Sequence, residues 1–125
     1  MEVTAAIIRN KQNEILICQR PIQKNCAFLW EFPGGKQEPG ESLEECLIRE
    51  CQEELNITIA IDGKLAETNT DHPKGRIHIH FFTCTIQSGS VIANEHNDCK
   101  WVRAEELKEY EFCPADKIIA DRISS

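Results

Sequence analysis

Short apolar runs separated by polar breaks mark the elements of this chain, and in one segment the apolar positions recur every four residues. Val3 to Arg9 is rich in β-branched residues and reads as a strand; Asn10 to Asn13 reads as a turn and Glu14 to Gln19 as a second strand. Together they predict a hairpin. Residues 20–28 form a polar loop, and Leu29 to Phe32 a short strand ending at Pro33-Gly34-Gly35, a tight glycine loop. Pro39-Gly40 marks another turn. Leu43, Leu47, Cys51 and Leu55 then recur every four residues, the apolar stripe of a helix. Ser42 and Glu45 have capping-box spacing at its start, and Asn56 suits the left-handed position past its end. Ile57 to Ile61 is β-like, Arg76 to Gln87 is the clearest long strand, and Lys100 to Val102 is a short one. Pro114 opens a last helix towards Ile123. Interspersed strands and helices predict an α/β (α+β) domain, a mixed sheet with a helix on each face.

Composition narrows the class. The 125 residues, 41% hydrophobic and 28% charged, suit one globular domain over 1–125. No repeat or low-complexity stretch interrupts it. No apolar run is long enough to span a membrane, and the opening residues lack a basic segment before an apolar core. The seven cysteines form no C-x-x-C pair and no zinc-finger spacing, so reduced thiols in a cytoplasm are expected. A net charge of −7 argues against a nucleic-acid partner.

The acidity is concentrated. Residues 38–54 hold seven glutamates and one basic residue, Arg49. Glu50, Glu53 and Glu54 have the i, i+3, i+4 spacing of one helix face, beside the apolar stripe. Three carboxylates that close repel one another, and a hard divalent cation relieves the repulsion. His78 and His80 share one face of the long strand. With no Cys or third His at metal spacing, they read as sheet or pocket-wall residues rather than zinc ligands. Phe28, Trp30 and Phe32 alternate along their strand and could stack on a base, although such aromatics more often belong to a core.

The pattern Gly35-x5-Glu41-x7-Arg49-Glu50-Cys51-x-Glu53-Glu54-x-Asn56-Ile57 resembles the Nudix box, the signature of Nudix hydrolases. Every charged position is filled; Asn56 stands where the family usually has Gly. Leu29 to Lys36, Ala5 to Arg9 and Ile15 to Pro21 are similar to the MutT-like branch and the bacterial CTP pyrophosphohydrolases. The resemblance implies a Nudix-type α/β/α sandwich.

It also implies an activity. MutT-like members convert nucleoside triphosphates to the monophosphate and pyrophosphate, sanitising the nucleotide pool, with Mg²⁺ (or Mn²⁺) as cofactor. By resemblance Glu50, Glu53, Glu54, Glu95 and the Gly34 carbonyl bind metal. Glu53 or Glu95 activates the attacking water, and Arg49 holds a metal-binding glutamate in place. Arg20, Glu31, Phe32, Pro33, Gly34 and Lys36 contact the nucleotide, and Asp116 accepts a hydrogen bond from the base. The resemblance points to 8-oxo-dGTP or a CTP-type nucleotide, modified dCTP included, as the substrate, and a monomer or homodimer is expected. Two other readings stand beside this one. Pro73, downstream of the box, matches a feature of some hydrolases of ADP-ribose and other nucleoside diphosphates. A non-catalytic nucleotide-binding module would be expected to lose box carboxylates, and none is lost here.

Overall fold

The computed structural model describes residues 1–125. Seven strands, β1 (Glu2–Ile8), β2 (Ile15–Gln19), β3 (Trp30–Glu31), β4 (Gly34–Lys36), β5 (Ile57–His72), β6 (Gly75–Gly89) and β7 (Asp98–Val102), accompany two helices, α1 (Leu43–Leu55) and α2 (Pro114–Ser124), and a 3₁₀ turn at Ala104–Glu109. The strands form two sheets, ordered β4-β1-β6-β5 and β3-β2-β7. β1 runs parallel to β6 and antiparallel to β4, so the first sheet is mixed.

The expected helix on each face is present. Alternate residues of β1 and β2 enter two separate cores. Ala6, Ile8, Leu16 and Cys18 pack with Leu47, Cys51 and Leu55 of α1. Ala5, Ile7, Ile15 and Ile17 pack with Ile119 and Ala120 of α2 and with Leu107 of the 3₁₀ turn. α1 begins and ends as its sequence predicts: Ser42 and Glu45 form the reciprocal capping box, and Asn56 is left-handed at φ 61°, ψ 36°.

Several expectations need correction. β1 and β2 do not form a hairpin; only an isolated bridge between Arg9 and Ile15 joins them. Ala5 to Ile8 are all buried, so β1 occupies an interior position, and β4 and β6 fill both its hydrogen-bonding edges. β2 is left to pair with β3 and β7 instead. The single mixed sheet is thus two sheets. Gly34–Lys36 is strand, not loop, because it pairs with Val3–Ala5. β5 continues eleven residues beyond Ile61, to His72, in a long hairpin with β6. Its outer half is polar and mostly half-exposed, so long-range pairing rather than apolar alternation makes it a strand.

Candidate active site

The site is built where β4 passes the end of α1. Gly35 sits under Glu50: a Cβ there would come within 2.4 Å of the Glu50 carboxyl carbon. The missing side chain is therefore the space that Glu50 occupies. Next to it, Gly34 has φ +155° and its Cα faces the Thr4 carbonyl, where a Cβ would come to 2.0 Å. Two adjacent glycines let the strand pair with β1 on one side and receive a helix carboxylate on the other.

A cleft of about 610 Å³ opens here, and its wall includes Arg20, Glu31, Phe32, Gly34, Lys36, Glu50, Glu54, Glu95, His96 and Asp116. Glu50 and Glu54 face each other one helical turn apart. Burial, and then the neighbouring Glu50, pushes the Glu54 carboxyl up to about 10. The two carboxylates bring hard oxygen donors into the cleft wall. Such a donor set fits a divalent cation.

Glu53 is not gathered with this pair. Its side chain is 55% exposed, it accepts from Arg49 at 3.3 Å, and it does not line the cleft. On an α-helix, residues three and four apart diverge to either side of the face of the first, and Arg49 draws Glu53 outward. Arg49 is the hub of the box. It donates to both oxygens of Glu41 at 3.0 and 2.7 Å, to Glu50 at 2.9 Å and to the Lys36 carbonyl at 3.2 Å. The Arg49 hydrogen bonds hold the Glu41 carboxyl down to about 2. Arg49 thereby ties the loop before α1 and the end of β4 to the glutamate in the cleft. Glu45, one helical turn back, is taken by the capping box instead.

The other expected residues are placed unevenly. Lys36 and Glu95 lie in the cleft wall, and Arg20 is engaged with Glu31 at 2.7 Å and with Asn25. Asp116 is buried in the first turn of α2 and accepts the Phe32 N–H at 3.1 Å. Burial, then the charge of Glu31, pushes its carboxyl up to about 7. Pro33 does not line the cleft; its carbonyl accepts from Ala6. The aromatic row is broken up. Phe32 is 3% exposed and stacks on Phe112, Trp30 is also buried, and Phe28 turns outward with φ 64°. Of the three, only Phe32 borders the cleft.

The sequence reading missed His96. Its side chain is buried between Glu31, 2.9 Å from Nε2, and Glu54, 3.6 Å away. Burial alone would raise the Glu31 carboxyl, but His96 and Arg20 together hold it below the usual carboxylate range. The only sequence signal was adjacency to Glu95, and no spacing rule connects a loop histidine to a glutamate 42 positions earlier.

A family profile described as NUDIX domain matches residues 1–123. The chain belongs to the Nudix family. Among its relatives, the CTP pyrophosphohydrolase of Escherichia coli K12 is 41% identical over 93% of this chain and 85% of its own length. The 8-oxo-dGTP diphosphatase of the same organism is 30% identical over 98% of this chain and 95% of its own. Among solved structures, the E. coli ORF135 protein superposes with a TM-score of 0.83 at 38% identity, covering 96% of this chain and 85% of that one. The MutT protein of Methanosarcina mazei Go1 gives 0.85 at 28% identity, over 98% and 91%. The mixed α+β fold is therefore that of MutT-type Nudix hydrolases, an enzyme family that acts on nucleotides and generally uses divalent metals. No helix of the chain is long and apolar enough to cross a membrane.

Proposed function

We propose that this Nudix hydrolase cleaves nucleoside triphosphates to the monophosphate and pyrophosphate with Mg²⁺, and that cytosine nucleotides are its first substrates. The observation that carries the reading is the meeting of Glu50 and Glu54 in one cleft with Lys36, Glu95 and Asp116. The similarity to the E. coli CTP pyrophosphohydrolase over 93% of the chain favours cytosine.

A triphosphate brings several negative charges to a protein of net charge −7, so its direct approach to the acidic cleft is repelled. Bound divalent ions reverse that field, lower the pKa of water and stabilise charge on the phosphoryl oxygens. Glu50 and Glu54, with the Gly34 carbonyl, are the proposed ligands. Mg²⁺ suits oxygen donors of this kind, and Mn²⁺ can replace it. Arg49 keeps Glu50 turned towards the cleft. Glu95, already in the cleft wall, orients or deprotonates the attacking water; Glu53 does so only after leaving Arg49. Lys36 and Arg20 meet phosphate. Phe32, Pro33 and Glu31 frame the nucleoside, and Asp116 accepts from the exocyclic amino group of the base. Seven free cysteines suit a reducing cytoplasm, and a monomer or homodimer suffices for a site built from one chain.

The test is a panel of CTP, 5-methyl-dCTP, 8-oxo-dGTP, dGTP and ADP-ribose with Mg²⁺, with the released product identified. Pyrophosphate from the triphosphates, fastest with cytosine nucleotides, is expected. Orthophosphate as product, or turnover of ADP-ribose alone, would refute the assignment.

A further inference from the structure

Beyond α1, on the sheet face that this helix covers, β1, β5 and β6 bring together a second cluster of ligating side chains. His78 and His80 are two residues apart on β6, so they project on the same side. Ile77 and Ile79, which alternate with them, border the cleft. The strand register brings a glutamate to each flank: Glu2 of β1 lies opposite His78, and Glu67 of β5 lies opposite His80. Sequence spacing alone offered only the histidine pair; the carboxylates arrive from strands 76 and 11 positions away from His78.

The atoms are arranged as ligands would be. Glu2 Oε1 is 3.1 Å from His78 Nδ1 and 2.7 Å from His80 Nε2. One carboxylate oxygen thus bridges two imidazole nitrogens, and donor atoms of the three residues lie within 4.8 Å of one another. A tetrahedral ion bound at about 2.0–2.1 Å spaces its donors about 3.3 Å apart, and both carboxylate–imidazole separations lie within about 0.6 Å of that spacing. The far nitrogen of His78 is 2.5 Å from Glu67 Oε1, whose other oxygen is held by Lys64 at 2.6 Å. A carboxylate on the distal nitrogen is what orients a metal-ligating histidine. The far nitrogen of His80, Nδ1, is buried without any hydrogen-bond partner. Glu2 and His78 are 42% and 30% exposed at the side chain, which leaves a path from solvent.

We propose that Glu2, His78 and His80 bind a divalent ion of the zinc class, with Glu67 orienting His78. Two nitrogens and one carboxylate favour zinc or cobalt over magnesium, which prefers oxygen donors throughout. The ion would pin β1 to β6, and through Glu67 to β5, at a place outside the cleft wall, which includes none of these four residues. Its open position would hold water.

The test uses tag-free, full-length protein in excess Mg²⁺, which occupies the oxygen-donor cleft. Zn²⁺ is titrated calorimetrically, Co²⁺ by visible absorption, and the imidazole ¹⁵N signals of the unaltered protein are followed with Zn²⁺. An ion at Glu2, His78 and His80 is expected to shift the ring nitrogens of both histidines and to give the ligand-field band of low-coordinate cobalt; shifts confined to His96, which shares a donor set with Cys18 and Cys99, would place the ion there instead and overturn the proposal. Glu2→Gln and His78→Gln should each weaken binding by at least tenfold and Glu67→Gln by roughly tenfold, while Glu50→Gln leaves it unchanged. No binding in excess Mg²⁺, ring signals that stay in place, equal affinity in Glu2→Gln and His78→Gln, or loss of binding in Glu50→Gln would each overturn the proposal. The ring signals require no altered protein, so they decide the matter even where a variant folds poorly.

Discussion

Gly35 and Glu50 occupy one volume between them: the glutamate carboxyl lies where a Cβ on residue 35 would stand, 2.4 Å from it. The obstructing atoms are the end of a flexible side chain, so Gly35→Ala should displace Glu50 without unfolding the strand. Turnover should fall at least tenfold while the melting temperature changes by no more than a few degrees. Steady-state rates and thermal denaturation of the same preparation check this. Unchanged turnover would show that the Glu50 position is immaterial.

Gly34→Ala should behave in the opposite way. Here the obstacle is the Thr4 backbone, 2.0 Å from the added Cβ, and φ is +155°. Neither can give way without breaking the β1–β4 pairing. A loss on the order of 2–4 kcal/mol is expected, in the range of severe backbone and packing lesions. Urea denaturation midpoints measure it.

Arg49→Lys keeps the charge but not the fork that grips both oxygens of Glu41. The Glu41 carboxyl should titrate upward from about 2 towards its ordinary 4.5. Turnover should fall about tenfold as Glu50 loses its hydrogen bond. Carboxyl ¹³C titration and kinetics report the two effects separately. A Glu41 titration that does not move would show that the pair contributes nothing.

Asp116 predicts a pH dependence of stability. Burial first, and Glu31 second, raise its folded value to about 7 from an ordinary 3.8. Between these values the folded chain keeps a proton that the unfolded chain has released, so this group's contribution to stability falls as pH rises through the window and is constant above it. The full difference is on the order of 4 kcal/mol. Asp116→Asn abolishes the titration while its side-chain oxygen can still accept from Phe32. The variant should gain on the parent protein between pH 4.5 and pH 8, as read from urea midpoints. A constant difference would mean that Asp116 is ionised throughout. On the substrate panel the same variant should change the ranking of bases; identical relative rates would remove Asp116 from the nucleotide site.

Chelation with EDTA should abolish turnover, with restoration by Mg²⁺, and Glu50→Gln should reduce it by roughly a hundredfold or more. Full turnover in chelator would overturn the divalent-ion reading of the cleft.

Local signals in the chain were enough for α1, its capping box, the left-handed Asn56 and the Pro114 start of α2, because helix caps and stripes are interactions among residues a few positions apart. The glutamate-rich box was legible for the same reason. Strand partners were not. Whether β2 pairs with β1 depends on which edges other strands have already taken, and that is settled by chain segments dozens of residues away. The orientations of Glu50, Glu53 and Glu54 followed from Arg49 and Gly35, not from helical spacing alone. His96 between Glu31 and Glu54, Asp116 on the Phe32 amide, and Glu2 beside His78 and His80 arise from pairings of distant segments. Their chemistry depends on burial and on partners, and both come into being only when the sheets assemble.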